Sequence, residues 1–154
     1  MRLMRRSDRA ISPQEALTIL KNAEYGVLST VGEDGLPYGV PLSYVLIDQA
    51  LYIHSALDGR KLDNLTTQPS VSFCVVGATQ VLPARFTTAF ESVIVSAKAS
   101  EVFGDEKQQA LMALIDKYSA EYKTEGLAYI EKANMKTRVI KLSIESMTGK
   151  ARRI

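Results

Sequence analysis

Hydrophobic and polar positions change period several times along the chain, and each change marks an element. Ser12-Pro13-Gln14-Glu15 opens a capping box, with serine placed to accept a first-turn amide and glutamate placed to reach back to the cap. The apolar positions Ala16, Leu17, Ile19, Leu20 and Ala23 then predict a short amphipathic helix ending before Tyr25-Gly26. From Tyr25 to Val31 the chain reads as a strand. The glycine-bearing turn Gly32-Glu33-Asp34-Gly35 leads into a second strand over Leu36 to Ile47. Pro37 and Pro41 each remove a ladder donor from that strand, so it belongs at a sheet edge or carries a bulge. A third strand covers Leu51 to His54, and a short helix capped by Asp58 runs through Gly59 to Leu65 before Pro69.

Val71 to Val76 is an uninterrupted apolar run and predicts a strand buried on both faces. Gly77 to Thr88 reads as irregular around Pro83. Glu91 to Val102 alternates and predicts the longest strand. Asp105 is placed to cap a helix whose Leu111, Leu114, Ile115 and Tyr118 form one apolar stripe. A looser helix is expected over Leu127 to Lys136, followed by a last strand with Ile140, Leu142 and Ile144 on one face. The pattern describes a mainly β, α+β chain: an antiparallel barrel of about six strands with peripheral helices.

The 154 residues suit one domain, residues 1–154, with residues 1–11 as a basic N-terminal arm. The composition is that of a soluble globular protein, 46% hydrophobic and 23% charged. No apolar tract suits a membrane span, and the basic start lacks the apolar stretch of a secretion signal. With a single cysteine, Cys74, the expected setting is cytoplasmic, without a membrane partner. A net charge of +2 gives no argument for nucleic acid, and four Phe, seven Tyr and no Trp supply no evident stacking platform for an oligonucleotide barrel. One histidine and one cysteine exclude the usual structural zinc ligand sets, so no metal site is expected. Gly-x-Ser-x-Gly, Gly-x-Gly-x-x-Gly and P-loop patterns are absent.

The informative segment is His54-Ser55-Ala56-Leu57-Asp58-Gly59-Arg60-Lys61. A helix start carries partial positive charge, so two adjacent cations there are electrostatically misplaced unless an anion joins them. A phosphate would fit, taking free amides, the Ser55 hydroxyl and charged bonds from Arg60 and Lys61. The alternative is that both side chains extend into water and are screened by salt. His54, beside this loop, is either structural or a group that moves a proton.

Seven segments in one order extend the reading: Arg5-Arg6-Ser7-Asp8-Arg9, Gly26 to Thr30, Pro37 to Tyr44, Tyr52 to Ala56, Gly59 to Asn64, Val71-Ser72-Phe73 and Thr148-Gly149-Lys150. Together they resemble the nitroimidazole-resistance branch of the pyridoxamine 5'-phosphate oxidase-related flavoproteins. The resemblance implies a split-barrel homodimer with FMN at the subunit interface. It places the isoalloxazine edge along Pro41, Leu42, Ser43 and Tyr44, and the phosphate near Ser55, Arg60 and Lys61 with Asn64 close by. Phe90, Glu91 and Ser92 would come from the second subunit. Relatives often carry histidine where this chain has Arg60, a change that keeps an anion-binding group. The activity so implied is reduction of a small organic acceptor, such as a nitroaromatic, with NADH or NADPH as donor and His54 as candidate catalytic group. A protein that binds flavin or haem without turnover is the second reading, with His54 the one possible histidine ligand to haem.

Overall fold

The computed structural model of the chain describes residues 3–154. Helix α1 (Pro13–Asn22) begins at the expected capping box: Glu15 N donates to Ser12 Oγ at 3.2 Å, and Ser12 N donates to the Glu15 carboxylate at 3.0 Å. It is followed by β1 (Gly26–Val31), β2 (Pro37–Leu42), β3 (Val45–Ile47), β4 (Ala50–Ser55) and α2 (Arg60–Thr67). The chain continues through β5 (Ser70–Leu82), β6 (Thr87–Val102), α3 (Gly104–Tyr118), α4 (Lys123–Ala133) and β7 (Arg138–Arg152).

The fold is the expected antiparallel split barrel with peripheral helices, but it holds seven strands rather than about six, in the order β2-β1-β5-β6-β7-β4-β3. The extra strand arises because the expected Leu36 to Ile47 strand breaks at Ser43-Tyr44 into β2 and β3. β5 and β6 also run on through the region expected to be irregular, as a ribbon paired from Thr79↔Phe90 to Leu82↔Thr87. β6 is the longest strand, as expected, although it starts at Thr87. β5 is not buried on both faces. Val71, Phe73 and Val75 point inward, while Cys74 is half-buried and Val76 is exposed. The end of the N-terminal segment is tied to β7: Ala10 bridges Lys150, and Ile11 N donates to Gly149 O at 3.2 Å. Met1 and Arg2, the start of the expected arm, lie outside the described residues. Among the described residues no helix is long and apolar enough to cross a membrane.

β2 and β3 occupy opposite ends of the strand order, which suits the two prolines of β2 to an edge. Yet only Ser43 and Tyr44 separate them. Three peptide steps span at most about 11 Å, so the sheet has to roll until its edges meet. No ladder joins them, and the barrel stays split at this seam.

Tyr44 holds the corner. It is fully buried, its ring meets Phe73 edge-on with centroids 5.0 Å apart, and its hydroxyl donates to the Leu20 carbonyl of α1. The end of α3 takes up its backbone: Tyr44 N donates to the Tyr118 hydroxyl and Lys117 Nζ donates to Tyr44 O, each at 3.0 Å. The Lys117 ammonium also lies 3.9 Å from the Tyr44 ring centroid. Burial lowers the Lys117 pKa to about 8.

The interior of the barrel is packed by Leu28, Phe73, Val75, Val93, Val95 and Leu142, and α1 caps it with Ala16 and Leu20. A second cluster lies outside the barrel wall, where Val45, Tyr52 and Val139 meet Leu111 and Leu114 of α3 and Ile130 of α4. The β4 strand divides the two clusters. Leu51 and Ile53 face inward, and Tyr52 faces the helices. Across β1, β5 and β6, the opposite face presents Val27, Cys74, Val76 and Ile94; Val76 and Ile94 are exposed.

Two expectations follow from the corner. Tyr44→Phe strands a buried carbonyl acceptor and should lower unfolding free energy by about 1–2 kcal/mol in denaturant titration; an unchanged midpoint would show that the corner does not depend on this hydroxyl. Lys117 has a folded pKa of about 8 against an ordinary 10.5. The unfolded chain therefore binds more protons between these values, and stability should rise with pH across that window and be flat below it. Lys117→Met should remove that rise relative to wild type in thermal melts from pH 7 to 10.5.

Candidate functional site

The link from β4 to α2 brings together several of the expected residues. Ser55, buried, ends β4 with its side chain on the inner face. Residues 56–59 are exposed, and α2 starts at Arg60. Asp58 does not cap it. The cap position is Gly59, whose φ of 134° and ψ of 162° disfavour any side chain, and no side-chain bond covers the helix start. The Gly59 carbonyl accepts from Leu62 N at 2.9 Å and Asp63 N at 3.1 Å, so the amides before them project without intrahelical partners.

Arg60 places its guanidinium over the Tyr38 ring, 4.6 Å from the centroid. Burial lowers the Lys61 pKa, and no ion pair within 4 Å engages either cation among the described residues. A hollow of about 540 Å³ opens here, lined by Gly32, Glu33, Asp34, Arg60, Asp63 and Asn64. Asn64 is buried and committed to the fold: its Nδ2 donates to Thr30 Oγ1 at 2.9 Å. The loop is fastened from β7. Arg138, paired with Ser55 across the sheet, holds Glu101 through bonds of 2.9 and 2.6 Å and donates to the Leu57 carbonyl at 3.2 Å. Sequence reading missed Arg138, Glu101 and Tyr38. Tyr38 shares the exposed alternation of β2 and was open to detection, whereas Arg138 and Glu101 stand 37 positions apart without a local pattern.

His54 points the other way. Strand alternation puts its side chain on the helix-facing side of β4, opposite Ser55, where it lines a cavity of about 130 Å³ with residues of α3 and α4. Burial, and then the charge of Lys61, lower its pKa below the ordinary histidine value. The remaining expected residues are dispersed. Pro41 and Ser43 are exposed and Leu42 is half-buried along the edge of the split, whereas Tyr44 has both its backbone groups and its side chain engaged in the corner. Phe90, Glu91 and Ser92 are half-buried on β6 and none of them lines the hollow at Arg60. Glu91 instead pairs with Arg153 at 3.2 Å, and the Lys150 ammonium lies 5.7 Å from the Phe90 ring centroid.

The fold is shared with known structures. A Bacteroides thetaiotaomicron protein provisionally named for 5-nitroimidazole antibiotic resistance superimposes with a TM-score of 0.79 at 23% identity, over 92% of this chain and 85% of its own. A conserved hypothetical protein of Mycobacterium tuberculosis gives 0.83 at 20% identity, over 98% and 91%. An FAD and haem binding protein of Mycobacterium smegmatis gives 0.75 at 19% identity, over 93% and 72%. No curated protein matches the sequence. Residues 12–151 match the sequence profile of the pyridoxamine 5'-phosphate oxidase family. A match across nearly the whole barrel, from the α1 cap to the end of β7, means that the chain belongs to the pyridoxamine 5'-phosphate oxidase family.

Proposed function

We propose that the protein is a homodimeric flavoprotein that binds FMN and reduces a small organic acceptor, a nitroaromatic such as a 5-nitroimidazole among the candidates. The observation that carries this reading is the start of α2, where uncapped amides and the unpaired Arg60 and Lys61 gather around a loop fastened by Arg138. That donor set suits a terminal phosphate: amides and a helix start for its oxygens, and two cations for its charge. FMN, when bound, supplies the capacity to accept and pass on electrons. The chain binds its phosphate through Arg60, Lys61 and the loop amides and offers the edge Pro41 to Ser43 to its ring system. NADH or NADPH is the donor in this reading, and flavin or haem binding by fold relatives supports a cofactor role for the barrel.

Haem at His54 is the weaker reading. The cavity beside that residue is about 130 Å³, below the roughly 300 Å³ at which pockets for larger ligands begin.

A second copy completes the site in this proposal. Phe90, Glu91 and Ser92 stand away from the α2 hollow of their own chain, on the strand that also carries the exposed Ile94, close to the exposed Val76 of β5. Packing two such faces together would remove that surface from water and bring one β6 toward the partner's loop.

The phosphate assignment is tested by replacing both Arg60 and Lys61 with alanine. FMN affinity should fall by about 3 kcal/mol or more, on the scale of charged hydrogen bonds, with a much smaller change for riboflavin. Equal losses for the two flavins in fluorescence titrations would remove the phosphate from this loop. For the dimer, Ile94→Lys should shift sedimentation from dimer to monomer at micromolar concentration; wild type sedimenting as a monomer with FMN bound would overturn the shared site.

A further inference from the structure

The tip of the β5–β6 ribbon and a cleft at its base carry complementary groups. Arg85 and Phe86 are adjacent at the tip, where the chain turns back from β5 into β6. Phe86 is almost fully exposed and holds a φ of 49°, a left-handed backbone that suits glycine far better than an aromatic residue. Neither burial nor backbone preference within one chain accounts for a phenyl ring at this position, and such strain points to a contact made elsewhere. Arg85 is exposed as well and takes part in no ion pair among the described residues.

At the base, a cleft of about 420 Å³ opens to solvent between α1 and β5. Ile19, Ala23, Tyr25 and Val76 supply apolar and aromatic walls, and Gly77 and Ala78 carry too little side chain to fill the space. Two carboxylates border it. Glu91 is paired with Arg153, whereas Glu24 has no ion pair among the described residues. The cleft therefore offers an apolar wall with one unmatched negative charge, and the tip offers a ring with one unmatched positive charge. Within a single chain the ladder keeps them apart: four residues of extended strand, from Ala78 to Leu82, carry the tip about 13 Å from the cleft. Only the tip of another copy can fill it. Val76 makes the cleft continuous with the β5–β6 face on which the proposed dimer packs, since it lines the one and is exposed on the other.

We propose that the occupant of this cleft is the ribbon tip of a second copy of the chain, with Phe86 seated against Ile19, Ala23 and Tyr25 and Arg85 paired to Glu24. Two-fold symmetry makes the exchange reciprocal, so each dimer holds the contact twice. Burial of the two rings removes from water the most exposed aromatic surface of each chain. The docking rests on the homodimer of the proposed function and not on its cofactor or its reaction.

Phe86→Gly tests the ring without harm to the single chain, because glycine suits the left-handed backbone. In sedimentation of the purified full-length protein, this variant should raise the dimer dissociation constant about tenfold or more. Arg85→Glu and Glu24→Arg should each weaken the dimer, and the two together should return it to within about threefold of wild type. A benzophenone-bearing residue in place of Phe86 should, on irradiation of mixed dimers, link isotope-labelled to unlabelled copies at Ile19, Ala23 or Tyr25. A wild-type dimer whose dissociation is unchanged by Phe86→Gly, a charge exchange without recovery, or links that form within one copy or outside the cleft would each overturn the docking and leave the dimer standing. Wild type that sediments as a monomer would overturn both.

Discussion

The two-residue joint between β2 and β3 is the constraint on which the architecture depends. Strands at opposite ends of the hydrogen-bonded order are tethered by Ser43 and Tyr44, so the sheet has to curl and its edges have to meet. The seam has no ladder, and side chains close it instead. Tyr44 reaches inward to α1 and Phe73, while the end of α3 satisfies its backbone. Tyr118 adds a third tie, donating to the Glu24 carbonyl just before β1 at 2.5 Å. The residue at the joint thus ties α1 and α3 to the seam, its side chain through α1 and its backbone through α3.

The same roll gives β4 two different neighbourhoods. Its inner face contributes to the barrel core and ends at Ser55, beside the loop that presents Arg60 and Lys61; its outer face ends at His54 under α3 and α4. Two adjacent residues therefore face two different surroundings. Lys61 connects them, since its charge lowers the His54 pKa.

What could be read from the sequence was local or electrostatic. The capping box at Ser12 and Glu15 is complete within four residues, and the prolines of β2 exclude a central strand whatever surrounds them. Arg60 and Lys61 were conspicuous because cations oppose a helix start. Where tertiary contacts decided the outcome, the pattern misled. The break at Ser43-Tyr44 is hidden in a continuous β-like run, because what creates it is a contact with α1 and α3 far away in sequence. The ribbon beyond Val76 was unreadable since exposed positions such as Gln80 and Val81 carry no burial alternation. Asp58 is a good capping residue by type, but Gly59 adopts the backbone that opens the helix. The position of His54 relative to Ser55 was available from strand alternation alone; reading the two as one site overlooked that they face opposite ways.

The ribbon at the β5–β6 turn has a dynamic consequence. Between Leu82 and Thr87 the chain turns through Pro83 to Phe86, and Phe86 is 98% exposed with a left-handed φ of 49°. β7 runs alongside β6 only as far as Phe90↔Arg152, so the tip is two strands deep, with Gln80 and Val81 open to water. Isolated two-stranded ribbons are marginal in water. The barrel therefore carries its own stability gradient: the tip can fray and re-form while Val93 and Val95 stay packed, so local opening does not require global unfolding.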